Sequence, residues 1–215
     1  MKRFAFKTLG CKVNQYETEA MEELFLQRGY EKAESEEETD VYVVNTCTVT
    51  SASDAKSRQQ INRIKRKNPG AIVAVVGCYA QVAPEEIEAL ENVDIILGTK
   101  GRAKLVDLVE SVQEGGDPII RVNDLEDDRT FDDLEISTEL AKTRATIKIQ
   151  EGCDMFCTYC IIPYARGHIA SRPLPSIAEE VERLAAKGFK EFVLTGIHVA
   201  SYGKDQGGEL DLLDV

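Results

Sequence analysis

The chain has 215 residues, 43% of them hydrophobic and 30% charged, with a formal net charge of −12. That composition belongs to an ordinary globular protein of one large domain or a domain and a half, and the charge argues against a simple nucleic-acid-binding module, whose surface would be basic. No apolar run reaches membrane length, the first ten residues lack the hydrophobic region of a signal peptide, and six cysteines in a chain expected in the cytosol point to metal or redox chemistry rather than disulfides.

Residues 3–9 read as a first strand and 16–28 as an amphipathic helix ending at Gly29. A buried-type strand follows at 41–45, then a basic helix at 53–67 carrying Lys56, Arg58, Arg63, Lys65, Arg66 and Lys67, stopped by Asn68-Pro69-Gly70. Residues 71–76 form an almost uninterrupted apolar strand, Pro84 opens a short helix to residue 90, 93–97 is a fourth strand, and 102–113 is a closing helix. Apolar strands separated by helices predict a parallel sheet covered on both faces. Residues 114–139 carry ten acidic side chains against two basic ones, and 115–142 read as a linker interrupted by a strand-like piece at 119–122. The pattern restarts with a strand at 144–150, a cysteine-rich loop, a helix at 176–186, a strand at 191–194 and a loop at 195–203. Residues 209–215 look like the start of another helix. Two strand–helix units cannot close a barrel, which needs on the order of 200 residues, so the second part reads as the opening of a larger domain that stops short.

Three cysteines lie within eight residues, Cys153-Asp154-Met155-Phe156-Cys157-Thr158-Tyr159-Cys160. At that spacing three thiolates sit on one short loop and can face a single metal centre. A cubane iron–sulfur cluster held by three protein thiolates keeps one iron free for another ligand. Structural zinc takes four ligands, usually from two knuckles; no second knuckle is nearby, and zinc with His168 as fourth ligand stands as the alternative. Cys11, Cys47 and Cys78 are far apart in sequence, yet each lies just past the C-terminal end of a predicted parallel strand. Those ends share one edge of such a sheet, where ligands bind. A second three-thiolate site is therefore expected there, against the plain alternative of three buried structural thiols.

The Cys153 loop, with aromatic Tyr159 before its last cysteine, resembles the signature of the radical S-adenosylmethionine superfamily. Leu9-Gly10-Cys11-Lys12-Val13-Asn14-Gln15, Asn45-Thr46-Cys47 and Val76-Gly77-Cys78 are similar to the N-terminal domain of methylthiotransferases. The form running on through Tyr16-Glu17 is most similar to the branch that modifies threonylcarbamoyladenosine beside the tRNA anticodon. The resemblance covers essentially the whole chain. It implies an α/β fold: a parallel-sheet, Rossmann-like domain over residues 1–114, an acidic linker over 115–142, and over 143–215 the first βα units of an incomplete radical S-adenosylmethionine barrel. The remainder of the barrel and the small RNA-binding β-domain of the family are not in this sequence, and the chain alone is expected not to turn over.

The implied activity is methylthiolation of carbon 2 of N6-threonylcarbamoyladenosine at position 37 of tRNA, by radical chemistry using S-adenosyl-L-methionine and two [4Fe-4S] clusters. Cys153, Cys157 and Cys160 would hold one cluster; Cys11, Cys47 and Cys78 would hold the auxiliary one, with Asn14 and Asn45 as neighbouring hydrogen-bonding groups. Tyr159 would pack near the adenine, Arg166 would hold the methionyl carboxylate or the cluster loop, and Gly196 would let backbone approach the cofactor. Arg63, Lys65 and Arg66 would grip tRNA phosphates. The electron donor would be a flavodoxin or ferredoxin, the location cytoplasmic with no membrane contact, and the full-length enzyme a monomer. His168 stands where relatives often carry a charged residue and is expected to be structural. Sister branches acting on isopentenyladenosine in tRNA or on a ribosomal-protein aspartate remain as alternatives. A non-catalytic iron–sulfur module for electron transfer or sensing is the reading from another class.

Overall fold

The computed structural model describes residues 2–134 and 144–215; residues 135–142 of the expected linker, and residue 143 where the second pattern restarts, lie outside the described residues. Internal contacts divide the chain into two units, Met1–Asn123 and Asp124–Val215.

In the first unit six strands, β1 (Arg3–Thr8), β2 (Glu31–Lys32), β3 (Val41–Thr46), β4 (Ile72–Gly77), β5 (Ile95–Leu97) and β6 (Ile119–Arg121), form one sheet in the order β2-β1-β3-β4-β5-β6. Every neighbouring pair is parallel. The helices are α1 (Lys12–Gln27), α2 (Ser51–Lys67), α3 (Cys78–Val82), α4 (Pro84–Glu88) and α5 (Leu105–Gln113). The sequence Val-Tyr-Val-Val-Asn-Thr of β3 is buried at all six positions, because β-branched and aromatic side chains on both pleats meet helices on both faces. On one face Tyr42, Val44, Val73, Val75 and Ile96 pack against Ile61 and Ile64 of α2, Tyr79 and Ala80 of α3, and Ile87 of α4. Full burial of Ile61 or Ile64 contributes about 1.5–3 kcal/mol relative to exposure. On the other face Phe4 stacks on Phe25 of α1 at 5.1 Å between ring centroids, and Tyr30 meets Phe25 edge-on at 5.2 Å. Arg28 ties α1 to α5 through Asp107 and Glu110, both at 2.6 Å.

Two boundaries differ from the sequence expectation. Helix α1 begins a turn before residue 16, with Cys11 in extended backbone as its N-cap (φ −96°, ψ −178°). Cysteine is not among the residues that announce a helix start. The strand-like piece inside the expected linker is β6, paired with β5 at the end of the first sheet.

The second unit is built on β7 (Arg144–Glu151), which pairs in parallel with β9 (Glu191–Gly196) and antiparallel with β8 (Ala170–Ser171). The short helix α6 (Ile162–Arg166) follows the cysteine loop, and α7 (Leu174–Ala186) is the crossover between the parallel strands. Ile177 and Leu184 of α7 cover Ala145, Ile147 and Ile149 of β7 together with Phe189 and Tyr202. Residues 209–215 are not helical. Asp214 Oδ2 accepts from Asp211 N and Asp211 Oδ1 from Leu213 N, both at 2.7 Å, and such local side-chain bonds compete with helix formation. The fold class is α/β, as the sequence predicts.

Candidate metal centres

Cys47 directly follows β3, Cys78 directly follows β4, and Cys11 stands three residues past β1. These three strands are contiguous in the sheet. Thr46 pairs with Gly77, so Cys47 and Cys78 leave neighbouring strands at the same level, strands that lie about 4.8 Å apart. Thr8 pairs with Asn45 and Leu9 N donates to Asn45 O at 2.9 Å, which brings Gly10 level with Cys47. A Cβ on Gly10 would stand 2.8 Å from Cys47 Cβ and 3.2 Å from its Sγ, and the backbone there has φ +115°. Only glycine serves at this position, and its missing side chain leaves room beside the Cys47 thiol.

Buried amides fasten the edge. Asn14 Nδ2 donates to Leu9 O at 2.9 Å and Thr46 O at 2.8 Å; Asn45 Nδ2 donates to Asn14 O at 2.9 Å and Thr18 Oγ1 at 3.0 Å. The first turn of α1 is thereby fixed to the ends of β1 and β3, which sets Cys11 relative to Cys47. Cys11 Sγ donates to Asn14 Oδ1 at 3.4 Å, and Asn45 Oδ1 is buried with no hydrogen-bond partner among the described residues.

The second set lies on the loop after β7. Cys153 N donates to Gly167 O at 3.0 Å and Cys160 N to Cys157 O at 2.8 Å; Cys157 is exposed and the other two are half-buried. Gly152 allows the chain to leave β7: a Cβ there would stand 1.7 Å from the His168 carbonyl oxygen. Glu151, fully buried, takes Lys148 at 3.0 Å and Arg166 at 3.2 Å, both also fully buried. Gln150 Nε2 donates to Glu151 O at 2.6 Å and Gly152 O at 2.8 Å, while its Oε1 accepts from His198 N at 2.7 Å. The base of the loop is therefore held by a polar network behind it.

All six cysteines are free thiols. Among the described residues no three His, Cys, Asp or Glu side chains are gathered closely enough to hold a metal ion. The donor sets nonetheless fit iron–sulfur clusters. Each set offers three soft thiolates, which would leave one corner of a bound cluster for an exchangeable ligand, and Gly10 carries no side chain beside Cys47. His168 binds Asp154 through Nδ1 at 2.5 Å and packs 6.0 Å from the Phe156 ring, which orients it as part of the loop scaffold.

The other predicted residues fall as follows. Tyr159 is 91% exposed. The Arg166 guanidinium is engaged with Glu151, so it braces the loop from beneath. A Cβ on Gly196 would stand 3.0 Å from Gln150 Cβ, O and Oε1, so close packing on β7 already accounts for that glycine. The cations of α2 are largely spoken for. Arg63 pairs with Glu36 at 2.9 Å, Lys67 with Glu36 at 3.0 Å and Glu37 at 3.2 Å, and Arg58 with Glu86 at 3.1 Å. Lys65 donates to Asp94 and to Ala71 O, both at 2.9 Å. Arg66 is exposed and lines a concavity of about 470 Å³ with Gln59, Asn62, Lys65 and Asn92. Because α2 starts at the cysteine edge and spans about 25 Å, its last turns with Arg63, Lys65 and Arg66 lie toward the opposite edge of the sheet. Lys65→Glu is accordingly expected to lower stability by about 2–3 kcal/mol, since it takes from Asp94 its cation and sets a like charge beside it, leaving only the Val73 N–H among the described residues, whereas Arg66→Glu leaves stability near that of the parent. Urea midpoints check this; equal midpoints for the two variants would contradict it. Sequence reasoning missed Lys148, Gln150 and Glu151, whose only signal was polar residues at strand positions.

Residues 3–98 match the family described as "Uncharacterized protein family UPF0004", and residues 147–213 match the radical SAM superfamily. Over 205 residues the chain is 48% identical to the threonylcarbamoyladenosine tRNA methylthiotransferase MtaB of Bacillus subtilis, covering 95% of this chain and 46% of that protein. Over 208 residues it is 43% identical to the protein of the same name from Aquifex aeolicus, covering 97% and 51%. A tRNA-2-methylthio-N(6)-dimethylallyladenosine synthase from Fervidobacterium nodosum is 35% identical over 201 residues, covering 92% and 45%. The chain spans about half the length of the curated relatives it matches. With a UPF0004 sheet carrying one set of cysteines and a radical SAM region carrying the other, the chain belongs to the methylthiotransferase family.

Proposed function

We propose that this chain is part of an enzyme that inserts a methylthio group at carbon 2 of N6-threonylcarbamoyladenosine at position 37 of tRNA. The observation that carries the proposal is the pair of three-cysteine sets, one at the edge of three contiguous parallel strands and one on a single loop. The identities of 48% and 43% to relatives named for that modification support it. Cys153, Cys157 and Cys160 would hold one [4Fe-4S] cluster, with S-adenosylmethionine at its open corner; Cys11, Cys47 and Cys78 would hold the second. When bound, these groups supply one-electron cleavage of S-adenosylmethionine and a carrier for the transferred sulfur.

The chain's own residues do the rest. Gly10 leaves space at the Cys47 thiol, Asn14 and Asn45 hold Cys11 and Cys47 in register, and Glu151 with Lys148 and Arg166 keeps the Cys153 loop from drifting. Exposed Tyr159 offers a ring face for an adenine. Arg166 serves through the loop rather than through a cofactor carboxylate. On α2, exposed Lys56 and Arg66 are better placed to meet tRNA phosphates than Lys65, which is committed to Asp94. A flavodoxin or ferredoxin fits as one-electron donor. Six free thiols support a cytoplasmic setting. No described helix is long and apolar enough to cross a membrane.

A second reading, modification of dimethylallyladenosine, is favoured by one observation: relatives named for it match at 35% identity over most of the chain. Nucleoside mass spectrometry of tRNA separates the two. In a host lacking both modifications, the full-length protein is expected to yield 2-methylthio-N6-threonylcarbamoyladenosine, abolished by Cys11→Ala or Cys157→Ala. Appearance of the dimethylallyl product alone would favour the second reading, and neither product would overturn both.

A further inference from the structure

Glu17 on α1 and Arg102 in the loop after β5 form an ion pair at 2.5 Å with both side chains fully buried. The same loop is fastened at its other end to α3: Gln81 Oε1 accepts from Thr99 N at 3.1 Å, and Gly77 N donates to Gly98 O at 3.4 Å. A Cβ on Gly98 would stand 2.1 Å from Gln81 Oε1, so a side chain there would push the Gln81 amide off Thr99 N. Helix α1 opens at Cys11 and α3 opens at Cys78. Residues 98–102 therefore strap together the two helices whose N-termini carry the outer thiols, Cys11 as the N-cap of α1 and Cys78 as the first residue of α3, while the Asn14–Asn45 amides fix α1 to the strand that leads into Cys47. A buried ion pair is a poor source of net stability, because desolvating both charges offsets their attraction and an apolar pair of similar volume is often at least as stable. What two opposite charges in close contact inside the protein can do, whatever their net effect on stability, is hold the elements that carry them at one spacing.

We infer that Glu17 and Arg102 are positioning residues for the Cys11, Cys47 and Cys78 site, setting the distance between the Cys11 and Cys78 thiols. The inference rests on reading those three cysteines as cluster ligands. The test uses the protein with Cys153, Cys157 and Cys160 replaced by alanine, so that only this site can take up iron. After anaerobic reconstitution, iron and sulfide are counted, the EPR signal of the reduced cluster is recorded, and its lifetime in air is timed. The double variant Glu17→Leu/Arg102→Met is expected to melt close to the parent. It should nonetheless bind less than half the parent's iron, or give a broadened, heterogeneous signal that decays several-fold faster in air. Arg102→Lys, which keeps the charge, should restore most of the iron. If the double variant does not fold, Glu17→Gln carries the same comparison, with altered signal shape and shorter lifetime expected. Parent-like iron, signal and lifetime in the folded double variant, or in Glu17→Gln, would overturn the inference while leaving the ligand reading intact. No iron uptake even with the pair unaltered would overturn the ligand reading, and the inference with it.

Discussion

Replacing Cys11, Cys47 and Cys78 together with alanine is expected to halve the iron of the reconstituted protein, from about eight to about four per chain, with the remaining cluster unchanged in spectrum. The two cysteine sets belong to separate units, each with its own sheet and its own core, so loss of one should not unfold the other. Within the first unit Cys11 is exposed, and Cys47 and Cys78, though buried, stand at strand ends where alanine removes only one atom from each, so the unfolding midpoint should move little. The reciprocal replacement of Cys153, Cys157 and Cys160 should remove the other half, and with it any cleavage of S-adenosylmethionine. Iron counting with circular dichroism decides the matter. If the first triple variant retains all of its iron, the strand-edge cysteines are structural thiols after all. If it loses all of it, the sets are not independent.

Gly152→Ala should be the most damaging single glycine substitution on the Cys153 loop. Its backbone has φ +71°, where an L side chain costs about 1–2 kcal/mol, and the new methyl would run into the His168 carbonyl, a backbone atom that cannot rotate away. Relief of that clash requires moving β8 from β7 or breaking the Cys153 N to Gly167 O bond, adding about 1–3 kcal/mol. A total of about 2–5 kcal/mol is a large fraction of the stability of a small domain. Gly188→Ala is the matched control: φ is +97°, but nothing lies within 4 Å of the added methyl, so only the backbone cost applies. Thermal or urea unfolding should rank Gly152→Ala well below Gly188→Ala. Equal losses would mean the carbonyl contact is not rigid, and the loop base is looser than the Glu151 network implies.

Much of this was legible in the sequence because the informative residues are of kinds with few uses. Three thiols in eight residues, and three more at the ends of apolar strands, read as two sites before any geometry was known, and strand–helix alternation gave the parallel sheet that brings the second set to one edge. What escaped was whatever depends on partners distant in sequence. The basic run of α2 looked like a phosphate-binding face, yet its last turns are matched by Glu36, Glu37 and Asp94 arriving from other elements. Residues 144–150 read as a strand, but that Lys148 and Gln150 are fully buried in a polar network depends on partners such as Arg166 and His198 that the strand pattern does not contain. Helix α1 hid its start because its N-cap is a cysteine, and β6, legible as a strand-like piece at 119–122, hid its membership of the first sheet because a three-residue edge strand has almost no periodicity.

Mössbauer spectroscopy on iron-57-reconstituted protein, recorded with and without S-adenosylmethionine, bears most directly on the central claim of two open-cornered clusters. Two [4Fe-4S] centres should appear, with a single iron subsite of the Cys153 cluster shifting on addition and the strand-edge cluster unaffected in its other irons. A single centre, or two centres with no subsite that responds, would contradict the account.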